Sequence, residues 1–335
     1  MGDLIEWNKI VSLGAGVALP HFGDPKREFA AARSGAAVTP VTHFDLLKFH
    51  GGDAKAFLQG QLTCDLDRVT ASQAQFGGYC TPKGRLLANF IILSTPQGYL
   101  MHLPADVSIG VAERLRKFVM RSQVKIEHES GPDTLGLAGP AAPALLRREL
   151  ATPPEGRLAV THLANAVLVR LPGDHFLVLA PSNAMAAHWE LFTRHALPVG
   201  AECWNWLQIQ AGVPWITAAT ADQFLPQMIG LDAIGGVSFE KGCYAGQEIV
   251  ARSRYLGEVK RRLRLGRTRG PVRAGDELFS GEQPCGTVLN AASVPGSGSD
   301  LLAVVSRQVD VQSKVHTAGG EAVDLAAPSG EIVSD

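Results

Sequence analysis

The 335-residue chain carries 31 Lys and Arg against 32 Asp and Glu, a formal net charge of −1, and is 46% hydrophobic and 19% charged. That balance suits a globular chain of two or three structural units with sizeable cores. It excludes recognition of nucleic acid or membrane by net charge alone. The five cysteines (Cys64, Cys80, Cys203, Cys243 and Cys285) are far apart and never form C-x-x-C, which argues against a disulfide framework, a metal site or a self-contained iron–sulfur cluster.

Met1 to Thr39 reads as an extension packed on the main body, without the basic and apolar regions of a secretory signal. Asp24-Pro25 opens a short helix over Lys26–Arg33, ended by Gly35-Ala36-Ala37. Phe44–Phe49 is strand-sized, and Asp53 is the expected N-cap of a helix over Ala54–Leu62. Gln75–Cys80 and Leu86–Leu93 form a hairpin through Thr81-Pro82-Lys83-Gly84, and Tyr99–Leu103 follows. Asp106 starts an amphipathic helix with Val107, Val111, Leu115, Phe118 and Val119 on its apolar side, and Val124–Ile126 is the next strand. A similar order recurs: strand Leu135–Leu137, helix Pro143–Leu150, strands Val167–Leu171 and Phe176–Leu179, a helix capped by Ser182, and a helix over Ala201–Gln210. Short runs beyond Leu256, at Arg261–Leu265, Glu277–Phe279, Gly286–Leu289, Leu301–Val305 and Val323–Leu325, read as a small antiparallel barrel or sandwich. Pro295–Ser299 reads as an exposed loop, and the residues from Ala327 as a frayed tail.

The chemistry concentrates between Gly235 and Leu263. Its centre is Lys241-Gly242-Cys243-Tyr244-Ala245-Gly246-Gln247-Glu248. Glycines on both sides of Cys243 allow conformations or close approaches that a side chain blocks. A thiol before a helix and beside a lysine would be favoured as thiolate, whereas a lone cysteine is otherwise a small buried hydrophobe. Lys241 and Glu248 can pair and orient the thiol, Gln247 can bind a ligand or fix the loop, and Tyr244 can stack on a ligand or pack as an anchor. Arg252, Arg254, Lys260, Arg261 and Arg262 form the concentrated positive stretch, suited to a folate tail, RNA phosphates or a protein partner, or else a solvated strand face.

K-G-C-Y-A-G-Q-E, with G-G-V-S-F before it and V-A-R after it, resembles the signature of the folate-binding YgfZ family, relatives of the glycine-cleavage aminomethyltransferases. Phe57-Leu58-Gln59-Gly60-Gln61-Leu62-Thr63, Ile209-Gln210-Ala211-Gly212-Val213-Pro214 and Gln223-Phe224-Leu225-Pro226-Gln227-Met228 support the likeness. The resemblance implies two interlocked ferredoxin-like α+β units plus a C-terminal antiparallel β-barrel, in a ring-like arrangement. The boundaries are an N-terminal extension over 1–40, a first unit over 41–130, a second over 131–255 with the motif loop, and the barrel and tail over 256–335. The aminomethyltransferases hold the pterin edge with a glutamate in L-E-A-G, where this chain has Gln210, an amide that offers both a donor and an acceptor. They carry an Asp-Asp pair after a G-G turn, where this chain has Ala88-Asn89, so aminomethyl transfer is not carried over. Asn89 can still bind folate or face solvent as a strand residue; Gln59 or Gln61 can face the cavity or serve a turn.

The implied function is a cytoplasmic, tetrahydrofolate-binding protein that supports iron–sulfur cluster assembly or repair, including for tRNA-modifying cluster enzymes. Cys243 is its functional thiol, Gln59, Gln61, Asn89, Gln210 and Arg252 are its folate contacts, and it has no metal site of its own. Its partners are cluster proteins or assembly factors, with transient RNA contact and no membrane. The alternatives are a folate-dependent one-carbon transferase using Cys243, and an RNA- or protein-binding adaptor without folate.

Overall fold

A computed structural model describes residues 7–11, 16–128, 132–255, 259–309 and 313–327. Among them, an antiparallel sheet of five strands runs in the order Gln75–Cys80, Leu86–Thr95, Gly98–Pro104, Phe44–His50, Lys125–His128. The helix Ala105–Val119 lies on it, burying Val107, Val111, Ala112 and Leu115 at three- and four-residue spacing. Val119 continues that stripe partly buried, whereas Phe118, expected on the apolar side, is 55% exposed in the last turn. Asp53 is the N-cap residue of the helix Ala54–Gln61 as expected, but its side chain makes no capping bond; its carboxylate accepts from the Gln123 amide at 2.7 Å and ties two loops together.

A second sheet runs Leu197–Pro198, Ala37–Pro40, Pro132–Ala138, His175–Pro181, Val167–Leu171, Val160–His162. Ala37–Pro40, taken as the end of an extension, is a fully buried strand, parallel to Leu197–Pro198 and antiparallel to Pro132–Ala138. Four residues buried on both faces carry no alternation to betray a strand. Because the first sheet lies between Ala37–Pro40 and the rest of the second in sequence, this strand interlocks the two units. Its preceding helix, Pro25–Ser34, is capped as expected by Asp24, whose carboxylate accepts from the Arg27 amide. Ser182 is the first residue of the helix Ser182–Thr193 and not its cap; Pro181 stands there.

The third unit is a closed antiparallel barrel, ordered Arg261–Thr268, Gly298–Ser306, Gln283–Val294, Glu277–Ser280, Val315–Thr317, Ala322–Ala326. Closure removes the exposed strand edges that an open sheet would leave. Val315–Thr317 escaped the sequence reading because three residues show no period. The exposed loop expected at Pro295–Ser299 is a tighter turn: Ser299 is 4% exposed and its hydroxyl donates to the Gly270 carbonyl. The tail expected from Ala327 lies, beyond its first residue, outside the described residues.

One apolar cluster joins all three units: Phe76 and Ile91 from the first, Trp204 and Ile209 from the second, and Leu289 and Val304 from the barrel. The helix Ala201–Gln210 is buried along most of its length at this junction, which explains its three-sided apolar character. Among the described residues no helix is long and apolar enough to cross a membrane.

Candidate functional site

The segment from Gly236 to Tyr255 is held against the first unit by a chain of named contacts. Thr63, wholly buried, sits at the centre. Its hydroxyl donates to the Gly236 carbonyl at 2.6 Å and accepts from the Gly78 amide at 2.8 Å, while its carbonyl accepts from the Ser238 amide at 2.8 Å. Next, the Lys241 ammonium donates to the carbonyls of Leu62 at 2.8 Å and Cys64 at 2.7 Å. It also lies 5.4 Å from the centre of the Tyr244 ring, within cation–π reach. Burial lowers the Lys241 pKa, opposed by the nearby Cys64, Asp65 and Asp67.

Lys241 is therefore a staple, and the expected pairing with Glu248 does not form: Glu248 is exposed in the first turn of the helix Gln247–Tyr255. Tyr244 is the packed anchor, 7% exposed, its phenol pushed up mainly by burial. Gln247 fixes the loop, its side-chain oxygen accepting from the Tyr244 amide at 3.3 Å. Gly246 has φ of 82°, and a Cβ there would lie 2.4 Å from the Thr81 carbonyl oxygen and under 3 Å from Gly84. The loop is thus seated on the Thr81–Gly84 turn, which only glycine permits. Gly242 has open space around it and a φ that needs no glycine, so the steric reading holds for Gly246 alone.

This seating leaves Cys243 exposed, while Cys64, Cys80, Cys203 and Cys285 are buried. Burial pushes the Cys64, Cys80 and Cys203 thiols up to about 12, so they are held as inert thiols. Cys243 lies three residues before Gly246, outside the helix, and the Lys241 ammonium is turned to backbone carbonyls.

The remaining candidates lie elsewhere. Gln59 closes a turn: its Nε2 donates to Asp65 at 2.8 Å and its Oε1 accepts from the Leu66 amide at 2.8 Å. Gln61 ends its helix, half-buried. Asn89 is wholly buried rather than solvent-facing, and its amide spans to the second unit. Nδ2 donates to the Pro214 carbonyl at 2.8 Å, and Oδ1 accepts from the Ile216 amide at 2.7 Å. Ala88 packs in the first unit's core. Asn89→Asp, which restores an acid at this place, is therefore expected to cost about 1–3 kcal/mol by setting a carboxylate against the Pro214 carbonyl. Urea denaturation checks it; an unchanged midpoint would show that the segment is held by other means.

Gln210 ends the helix Ala201–Gln210 and lines a cavity of about 850 Å³ with Arg157, Arg170, Asp174, His175 and Leu207. It is not a plain surface residue: its Nε2 donates to Asp300 of the barrel at 3.0 Å. Arg252 is exposed on the helix Gln247–Tyr255 and does not line this cavity. Arg254 lies over the Phe239 ring at 4.2 Å, and Arg261 and Arg262 belong to the barrel, so the basic stretch is divided between helix and strand. Thr63 and Asp300 were not foreseen. Thr63 stands in the F-L-Q-G-Q-L-T run but acts on a backbone 173 positions away. Among the described residues no group of three or more His, Cys, Asp or Glu side chains is placed to hold a metal.

Two α+β units closed by a barrel define the fold class. The fold matches the glycine cleavage system aminomethyltransferase T from Bartonella henselae with a TM-score of 0.75, covering 97% of this chain and 96% of that one at 18% identity. Residues 15–154 match the GCVT N-terminal domain family. The tRNA-modifying protein YgfZ of Colwellia psychrerythraea is 33% identical over 226 residues, 67% of this chain and 69% of that protein. That of Sodalis glossinidius is 32% identical over 279 residues, covering 81% and 85%. The chain belongs to the YgfZ family.

Proposed function

We propose that the protein binds tetrahydrofolate and supports assembly or repair of iron–sulfur clusters in partner enzymes, including those that modify tRNA. The observation that carries this reading is the exposed Cys243 on a loop that Lys241, Tyr244, Gly246 and Gln247 hold in place. A cluster generally needs about four thiolates, so a single open thiol serves a cluster shared with a partner. The exposed Arg252 and Glu248 beside the loop are available to that partner, or to RNA in transient contact. The family membership supports the tRNA connection.

The Gln210 cavity fits a folate. Its volume falls in the range of about 300–1,000 Å³ usual for such ligands. Gln210 offers a polar edge to the pterin, and Arg157 offers a cation to the glutamate carboxylates, Arg170 being paired with Asp174. Tetrahydrofolate bound there would supply a one-carbon carrier or a redox-sensitive pterin; this chain's own residues bind and orient it. The runner-up, one-carbon transfer with Cys243 as nucleophile, lacks an acid where the transferases carry one, since the Asn89 amide is occupied on both sides.

Anaerobic calorimetric titration with tetrahydrofolate tests the reading. Saturable binding is expected for wild type and Cys243→Ala, weakened about tenfold in Gln210→Ala by loss of the pterin contact. In cells lacking the protein, Cys243→Ala is expected not to restore the cluster-dependent tRNA modification. No binding at millimolar ligand removes folate from the account, and full restoration by Cys243→Ala removes the thiol.

A further inference from the structure

Asp300 opens the apolar part of the barrel strand Gly298–Ser306 and is 2% exposed. Such a carboxylate is tolerated only when its lone pairs are met by donors. Oδ1 accepts from Arg267 Nε at 2.6 Å. Oδ2 accepts from three donors: Arg267 Nη2 at 3.1 Å, Trp206 Nε1 at 2.9 Å and Gln210 Nε2 at 3.0 Å. A carboxylate paired with arginine only accepts, so the amide must turn its nitrogen toward Asp300. The Gln210 oxygen is thereby left as the group available to the cavity.

We infer that Asp300 is a positioning residue that fixes the polarity of the Gln210 amide, so that the cavity presents a hydrogen-bond acceptor to its ligand and takes heterocycles with a donating N–H edge. The inference rests on the reading of this cavity as the ligand site, and it accounts for the departure from glutamate. A glutamate at 210 would meet Asp300 carboxylate to carboxylate at hydrogen-bond distance. With Asp300 in place, glutamine is the side chain that keeps an acceptor facing the ligand without that repulsion.

The test is a charge-swap cycle of Gln210→Glu, Asp300→Asn and the double variant, read by thermal unfolding between pH 5 and 8 and by tetrahydrofolate titration. Gln210→Glu is expected to lower Tm by roughly 5 °C at pH 8. The gap to wild type should shrink toward pH 5, because two adjacent carboxylates share a proton and one of their pKa values is raised. The other charged groups near the pair include Arg267, with Asp324 beside it, Arg33 over the Trp206 ring, and Glu155, Arg157, Arg170 and Asp174 around the cavity; all are common to the variants compared. His175, in the cavity wall, is likewise common to all. In the double variant the carboxylate pair is gone, so the pH dependence of the Gln210→Glu gap should disappear, although the amide at 300 cannot both accept from Trp206 and Arg267 and donate to residue 210 through one atom. Affinity should fall roughly tenfold or more in Gln210→Glu alone. A Gln210→Glu variant as stable as wild type at every pH, or a double variant that keeps the pH dependence of Gln210→Glu, overturns the inference. If the stability pattern appears but wild type does not bind folate, the positioning role stands and the folate reading falls. If wild type binds folate but the stability pattern is absent, the reverse holds.

Discussion

Between pH 6.5 and 4 the protein is expected to lose about 6 kcal/mol of folding stability through two histidines alone, a loss comparable with the whole stability of a typical domain, about 5–15 kcal/mol. His102 is 2% exposed, and burial, with a smaller contribution from His43, pushes its pKa down to about 3. His175 is 4% exposed and is pushed to about 4 by burial, against a small opposing effect of Asp174. In the unfolded chain each titrates near 6.5. Below that pH the unfolded state takes up protons that the native state refuses, so stability is full above pH 6.5 and falls as the pH drops toward the native values. Each histidine contributes about 1.4 kcal/mol per pH unit over that window.

Geometry agrees with the direction. The His102 ring stacks on Phe44 at 4.7 Å and has no room for hydration at Nδ1. The Gln208 amide lies 3.3 Å from Nδ1 of His175 and donates to it only while that nitrogen is unprotonated. His43, pushed to about 4 mainly by burial, adds to the same trend: part of its ring reaches the surface, but its Nδ1 is enclosed. Urea denaturation at pH 7, 5.5 and 4.5 checks the expectation, with His102→Leu lowering the slope by the share of one histidine. Stability that stays level across the three pH values would mean that these rings are hydrated and titrate normally.

Much of the architecture was legible because it rests on local signals. Turn residues at Thr81–Gly84 and Pro172–Asp174 bracket strands whose branched and aromatic residues fit a pleated surface. The barrel followed from short runs punctuated by Gly, Pro and Ser. What was not legible depends on partners distant in sequence. Nothing local distinguishes Ala37–Pro40 from a loop; only the two strands flanking it in space make it one. Thr63 reads as an ordinary residue of a helix end, and Asn89 as a folate contact or a solvent-facing strand residue, yet each satisfies backbone groups of another unit. Asp300 is hidden in the same way, a single acid ahead of an apolar run, with Trp206, Gln210 and Arg267 brought to it by the fold. The motif loop stood out by composition, but the tasks of its members did not. Lysine, glycine and glutamine there were open to catalytic or structural readings, and the structure gives Lys241, Gly246 and Gln247 to the scaffold.

Lys241→Met is accordingly expected to damage the site more than any other single change in the motif loop. The substitution keeps an unbranched, flexible chain against Tyr244 but removes the ammonium. The Leu62 and Cys64 carbonyls then lose a charged donor in a half-buried setting where water replaces it poorly. Two charge-assisted bonds are worth about 1.5–3 kcal/mol each, so a loss of roughly 3–6 kcal/mol follows if the loop stays in place. The chain can limit that loss by releasing the loop, because the Thr63 clamp upstream and the helix Gln247–Tyr255 downstream are separately held. The two routes have different signatures. A rigid loop gives a large fall in Tm; a released loop gives a smaller fall with faster proteolysis between Gly242 and Gly246. Either way Cys243 loses its fixed position, and under the proposed function the role of the thiol should fail while the proposed folate binding at the Gln210 cavity persists. Lys241→Arg should not rescue it, since a planar guanidinium cannot take the place of a compact ammonium between two carbonyls. If Lys241→Met keeps wild-type Tm, protease resistance and function, the lysine is not the staple, and the Thr63 and Gly246 contacts alone must seat the thiol.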